Sequence, residues 1–200
     1  MTVIQLGADA DRAVLEAAKR IASVRKYNRR ADQWGQGFIG EVEPLGGGAY
    51  VDPAYAALYV GQIGAEAFRR WAVRHEYETL ERMIATALTD PGQCGDGGVD
   101  FVLDRYIRVQ IKTRLATRFD DRALVRGIDD RGNGIAIAAD WYVFARWVGG
   151  SRTVEFVGCA DRRAVGRAVL RPAFKGRHRN REIKYEDLVP LAALPARLIG

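Results

Sequence analysis

Asp100, Gln110 and Lys112 are the residues whose types and spacing could do chemistry together. They lie within GDGGVDFVLDRYIRVQIKTR, residues 95–114. A hard divalent cation such as Mg²⁺ takes few protein ligands, and they are oxygens. Asp100 offers a charged oxygen, Gln110 its side-chain carbonyl, and Ile111 a backbone C=O leaving the strand sideways. A cation held there would polarise a phosphodiester and lower the pKa of a bound water. Lys112 could orient that water or stabilise the charge that builds up on the phosphate. Glycines 95, 97 and 98 would let a nucleic-acid backbone come close.

The elements that must position these residues are two strands. Val99, Phe101 and Leu103 are apolar, as are Ile107, Val109 and Ile111, and polar residues alternate between them. That period of two predicts a hairpin with its odd positions buried. All even positions then share the other face. Opposed residues whose numbers sum to 210 would set Asp100 across from Gln110, with Lys112 one diagonal step away. Cross-strand neighbours on one face are about 5 Å apart at Cβ.

Upstream, Val14, Leu15, Ala18, Ile21 and Val24 predict a helix over 9–27, and the glycines of 31–52 predict a loop. Asp52 and Pro53 open a second helix, carrying Leu58, Val60, Ile63, Ala67, Phe68 and Trp71 and ending near His75. Leu80, Met83, Ile84, Ala87 and Leu88 predict a third. Downstream, 114–134 reads as loop with a short helix, and strands are expected from about Trp141 to Val148 and over 153–159. The basic stretch after Cys159 reads as a helix followed by an irregular part, and YEDLVPLAAL as a short helix and tail.

The chain has 200 residues, 48% of them hydrophobic and 28% charged, which is ordinary globular composition. No apolar run reaches the ~18 residues of a membrane span, and the first residues lack a secretory pattern. Cys94 and Cys159 are too few for a disulfide scaffold or a zinc site, and His75 and His178 are far apart in sequence. A cytoplasmic protein with no membrane association is the expectation. Cys94 reads as a loop residue, Asp140 as a strand-end cap ahead of a further ligand, and Trp141, Tyr142, Phe144 and Trp147 as core ahead of a base-stacking platform.

The net charge of +6 is localised. Asp161–Lys184 holds nine Lys/Arg and two acids, whereas residues 1–160 balance. Basic stretches attract polyanions through counterion release, so Arg171, Lys175, Arg177, His178, Arg179, Arg181 and Lys184 are candidate phosphate contacts. A solvated surface is the plainer alternative.

Asp, nine residues, then Gln-x-Lys in a hairpin resembles the PD-(D/E)XK nuclease superfamily in its Q-x-K variant. GDGGVD followed by VQIKT is similar to the Mrr-type restriction enzymes and to some intron-encoded homing nucleases, and the overall arrangement, with an upstream Gly-rich helix, resembles small phage-encoded members. The resemblance implies an α/β, restriction-endonuclease-like fold: a mixed central sheet flanked by helices. It implies Mg²⁺-dependent endonucleolytic cleavage of DNA, with Mn²⁺ as substitute cation. Asp100 matches the family's metal-binding aspartate, Gln110 the second ligand position and Lys112 the catalytic lysine. Gln110 stands where an acid is usual, so one charge is missing. Many relatives carry Gly-Glu in the preceding helix. In GQIGAEAFRRW that position holds Ala65, and Glu66 lies one step on, ~100° around the helix. Glu66 remains a candidate catalytic and metal-ligating carboxylate, and Gln62 could line the same face. A single domain over 1–200 is expected: an extension at 1–50, a core at 50–160 and the basic segment at 161–200. Cutting both strands would take two sites, which suits a homodimer. The alternative is a catalytically weak or inactive module of nuclease fold that binds DNA or a protein partner.

Overall fold

The computed structural model describes residues 1–10, 12–14, 53–77, 79–81, 99–116, 121–128, 132–173 and 178–195. Within them a mixed sheet carries a helix on one face and a smaller sheet on the other. The class is α/β in the broad sense, with helices and a sheet of mixed direction.

Helix α1 spans Pro53–Arg74. Proline at its first position costs no hydrogen bond there. Its buried stripe includes Tyr59, Val60, Ile63, Ala67, Phe68 and Trp71. After Arg74 the chain turns through Glu76 at φ 62°. The Tyr77 N–H donates to Ala72 O at 3.0 Å and Glu76 N–H to Val73 O at 3.1 Å. This is a Schellman stop with glutamate in the place glycine favours.

The main sheet is built from β1 (Thr2–Gln5), β2 (Thr79–Glu81), β3 (Phe101–Leu103), β4 (Ile107–Leu115), β6 (Trp141–Val148) and β7 (Thr153–Asp161). Its order is β1-β7-β6-β4-β3-β2. Strands β2, β3 and β4 form an antiparallel meander, and β6 runs parallel to β4. A parallel pair needs a crossover. Here the crossover carries β5 (Arg122–Ile128), which belongs to the second sheet. After helix α2 (Arg162–Arg167) come β8 (Val169–Ala173) and β9 (His178–Lys184), completing that sheet in the order β5-β9-β8. Asp161 caps α2, its Oδ1 accepting from Ala164 N–H at 2.7 Å.

Alternation sends side chains of the main sheet to two cores. Phe101, Leu103, Val109, Ile111, Val143 and Trp147 pack with α1. Val102, Tyr142, Phe144 and Ala160 pack with Ala123, Val125, Ile183 and Val165 of the second sheet and α2. Tyr142, Phe144 and Trp147 are therefore core. Burial pushes the Cys159 thiol up to about 12, and its Sγ sits 3.5 Å from Pro190 O.

Several sequence expectations need correction. The helical spacing from Leu80 meets a strand at Thr79–Glu81. The expected loop and short helix of 114–134 contains strand β5. The irregular part of the basic stretch is the β8–β9 hairpin, and YEDLVPLAAL holds two 3₁₀ turns, Tyr185–Asp187 and Leu191–Ala193. Residues 2–5, grouped with an extension, form an edge strand of the main sheet paired with β7. Residues 8–10 and 12–14 are helical. The remainder of the first expected helix, the loop of 31–52, the stretch 82–98 with GDGG and Cys94, and Lys175 and Arg177 lie outside the described residues.

Candidate active site

The hairpin adopts the register its pattern demands. Phe101 pairs with Val109 and Leu103 with Ile107, so partners sum to 210. Strand β3 ends its pairing at Val109, while β4 runs on to Leu115 beside β6. Asp100 occupies the corner where the two strands part. Its N–H donates to Val109 O at 2.9 Å, and its Oδ2 accepts from Ile111 N–H at 2.6 Å. One residue thus holds the backbone on both sides of Gln110.

Parity fails at this corner. Val99, expected on the odd face, packs in the core of the opposite face. The chain bends at Asp100, and its carboxylate turns along the strand edge toward Ile111. An extended residue aims its N–H and C=O at the same edge, so Ile111 C=O also leaves β4 on the Asp100 side. Gln110 and Lys112 are half-buried on the even face of β4.

Asp100 and Gln62 are the two buried polar side chains among the described residues, 6% and 4% exposed. Gln62 lies on α1, amid that helix's apolar stripe. A cavity of about 290 Å³ opens along the length of β4 that outruns β3, lined by Gly61 of α1, Ile111 and Lys112 of β4, Leu124 of β5, Phe144 of β6 and Tyr185. Gly64 brings α1 against this strand: a Cβ there would stand 2.8 Å from Thr113 Cβ and closer still to its Oγ1.

Glu66 is bound within its own helix. Burial would raise its carboxyl, but hydrogen bonds from Arg69 and Arg70 outweigh burial and hold it below the usual range. Arg69 reaches its two oxygens at 2.8 and 2.9 Å, and Arg70 Nε reaches Oε1 at 2.8 Å. These are bonds within α1. Among the described residues no group of three or more His, Cys, Asp or Glu side chains comes together. A cation here would rest on one carboxylate, an amide oxygen and a backbone carbonyl. All are hard oxygen donors, which suits Mg²⁺ retaining several of its waters.

Asp140 is a clamp. Its Oδ2 accepts from Arg108 N–H and Nε, each at 3.0 Å, and its Oδ1 from Arg108 Nη2 at 2.7 Å. This locks the start of β4 to the start of β6. The hydrogen bond from Arg108 holds the Asp140 carboxyl below its ordinary value. Stability from a depressed carboxylate is present above the unfolded pKa, about 3.9, and lost as pH falls through the folded one. Urea unfolding across that window should show a loss on acidification that is smaller in Arg108→Met. Equal pH profiles would remove the clamp from the stability balance.

The basic segment divides between two faces. In β9, Asn180, Glu182 and Lys184 face outward, while Ile183 is buried against the main sheet and Arg181 Nη1 donates to Gly166 O at 3.1 Å. Arg179 is exposed on the Arg181 side, and Arg171 of β8 lies outward. His178 opens β9, and His75 follows α1 with its ring 4.7 Å from that of Trp71. The sequence missed Arg122 and Arg126, which β5 adds to the outward face. Their signal is the alternation of Ala123 and Val125 with Arg122 and Arg126.

No described helix is long and apolar enough to cross a membrane. Compared with protein-family models, curated proteins and solved structures, the chain matches none.

Proposed function

We propose that the chain is a Mg²⁺-dependent DNA endonuclease whose main sheet is a restriction-endonuclease-like core. One observation carries the reading: a buried carboxylate, Asp100, is held at the parting of β3 and β4 by Ile111 N–H, one residue from Lys112 at a cavity. Helix α1, the antiparallel meander and the parallel β6 support the fold assignment. The crossover through β5 is a departure from a core flanked by helices alone.

Asp100, Gln110 and Ile111 C=O would hold the cation, which supplies Lewis-acid polarisation of the phosphodiester. Asp100 brings the negative charge, and its bond to Ile111 fixes where that charge stands. Lys112 offers an ammonium to the charge that develops on the phosphate oxygens. Ile111 and Phe144 give the cavity apolar walls beside Lys112, and a low local dielectric strengthens charge interactions.

Asp100→Asn tests this. Asparagine keeps an oxygen for Ile111 N–H and removes the charge, so melting should stay near wild type while Mg²⁺ or Mn²⁺ cleavage of plasmid DNA is lost. Asp100→Ala should also lower stability, by about 1–3 kcal/mol for the orphaned N–H. Equal cleavage by wild type and both variants would overturn the assignment. A second reading, a non-catalytic DNA-binding module, draws on the capture of Glu66 by Arg69 and Arg70. Calorimetry showing DNA binding with no divalent cation bound at millimolar concentration would favour it.

A further inference from the structure

We propose that the seam between α2 and β9, where Arg162 and Arg181 flank Gly166, holds a phosphate group of a nucleic-acid strand beside the reaction centre. The proposal rests on the nucleic-acid reading above and names a second contact point for that substrate.

Backbone carbonyls bring the two guanidiniums to one place. Arg181 Nη1 donates to Gly166 O at 3.1 Å. Arg162 stands one turn before Gly166 on α2 and so shares its face. Its Nε donates to Ile137 O at 2.9 Å, and its Nη2 donates to the same oxygen. Ile137 also borders Gly166, where an added Cβ would meet its Cδ1 at 3.6 Å. A second glycine shapes the path of Arg181. A Cβ on Gly127 would stand 3.1 Å from Arg181 Cγ and 3.4 Å from its Nε. Burial raises the Tyr142 hydroxyl, and the charges of Arg162 and Arg181 both oppose it. Both arginines therefore lie within electrostatic reach of one buried side chain. Arg162 and Gly166 are exposed and Arg181 is half-buried, so the seam is open to a ligand.

The positive charge there is left in excess. A carbonyl oxygen accepts a hydrogen bond without cancelling charge, and carbonyls are what both arginines hold. Among the described residues neither pairs with a carboxylate. Asp140 feels the charge of Arg162, but Arg108 occupies both its oxygens. Asp161 Oδ1 is engaged by Ala164 N–H in the cap of α2. From Arg162 to Arg181 the chain carries eight Lys/Arg and no acid. Arg181 Nε is buried with no partner, and a partly buried guanidinium short of acceptors is costly. A phosphate supplies negative charge and several oxygens in a geometry that the planar fork matches. Such a contact positions a strand and reads no sequence. Tyr142 neighbours Gln110 in the β4–β6 register, which sets the seam beside the candidate site without joining it.

The test is titration of a labelled DNA duplex in EDTA across a salt series. The proteins are wild type, Gly166→Asp, Gly166→Asn and Arg162→Gln/Arg181→Gln. Gly166→Asp puts a carboxylate between the arginines, and Gly166→Asn puts the same shape there without charge. The 3.6 Å contact with Ile137 leaves room for either. Thermal melting reports the fold of each. Gly166→Asp is expected to bind about tenfold more weakly than Gly166→Asn, with a salt slope shallower by roughly 1, and the double variant to lose roughly 2 from the slope. Equal affinity of the two Gly166 variants, both folded, would overturn the proposal. An unchanged slope in the double variant would overturn it as well. Inorganic phosphate is titrated in parallel. Its competition with DNA, lost in Gly166→Asp, supports the site. Phosphate binding that Gly166→Asp removes while DNA affinity holds assigns the seam to free phosphate and defeats the strand contact. Plasmid cleavage separates this proposal from the nuclease reading. Active wild type beside equal Gly166 variants defeats the seam and leaves the reaction centre standing. Inactive wild type beside a weakened Gly166→Asp does the reverse.

Discussion

Lys112→Met is expected to lower single-turnover DNA cleavage by at least about 100-fold, the usual loss when a preorganised donor to developing charge is removed. Methionine keeps an unbranched stem for the cavity walls and deletes the ammonium. Duplex binding and melting should therefore stay near wild type, and the deficit should appear in the chemical step. The position explains the size of the effect. Lys112 follows Ile111, whose N–H is locked by Asp100, and lines the cavity half-buried. Lys112→Arg should recover little, since a planar fork replaces a compact charge. Cleavage equal to wild type in both variants would place the reaction elsewhere.

Gly64→Val should be the most damaging single change to stability in the helix. Overpacking typically costs about 1–3 kcal/mol, and each kcal/mol moves the melting point by about 2–4 °C at this size. Gly64→Ala is the sharper probe. Helix propensity alone favours alanine by about 1 kcal/mol, so a net loss would report the contact with Thr113 directly. The Cβ would meet Thr113 Cβ at 2.8 Å, a strand atom two residues behind which is Ile111. Relief requires α1 to lift from β4, which would open the cavity that Gly61 and Lys112 line. Thr113→Gly in the same chain should recover part of the loss, a coupling that a double-mutant cycle measures. A stabilised Gly64→Ala would show that the helix can shift without cost.

What could be read before the structure follows from how strongly two faces differ. The β3–β4 register was legible because apolar and polar residues alternate strictly from Ile107 to Lys112 and odd positions 101 and 103 are apolar, although Val102 is apolar too. Helix α1 was legible from its apolar stripe and Pro53. Strand β2 was misread because Leu80, Met83 and Ile84 fit a helical period too. Strands β5 and β9 were obscured by arginine. In β9 the inward positions are Arg179, Arg181 and Ile183, so the oily side is interrupted by guanidinium groups and alternation loses its contrast. At the candidate site, the meeting of Asp100 with β4 was legible, but the turn of its carboxylate to Ile111 N–H was not. That turn depends on a bend at Asp100, which period-two reasoning cannot contain. The pairing of Glu66 with Arg69 and Arg70, one turn along the same helix, went unread because all three lie at i, i+3 and i+4, a spacing that serves ion pairs as well as ligands.

Strand β5 sits inside the connection between two neighbouring strands of the main sheet, yet its partner β9 follows β6, β7 and β8 in the chain. Growing on the ribosome, the polypeptide can assemble β3, β4, β6 and β7 while β5 has an empty edge. Leu124 and Tyr185, which wall the cavity, come together only once β9 emerges. Completion of this cavity is thereby tied to a strand that follows β6 and β7 in the chain, and a product shortened before β9 would carry Asp100 and Lys112 without the Tyr185 wall.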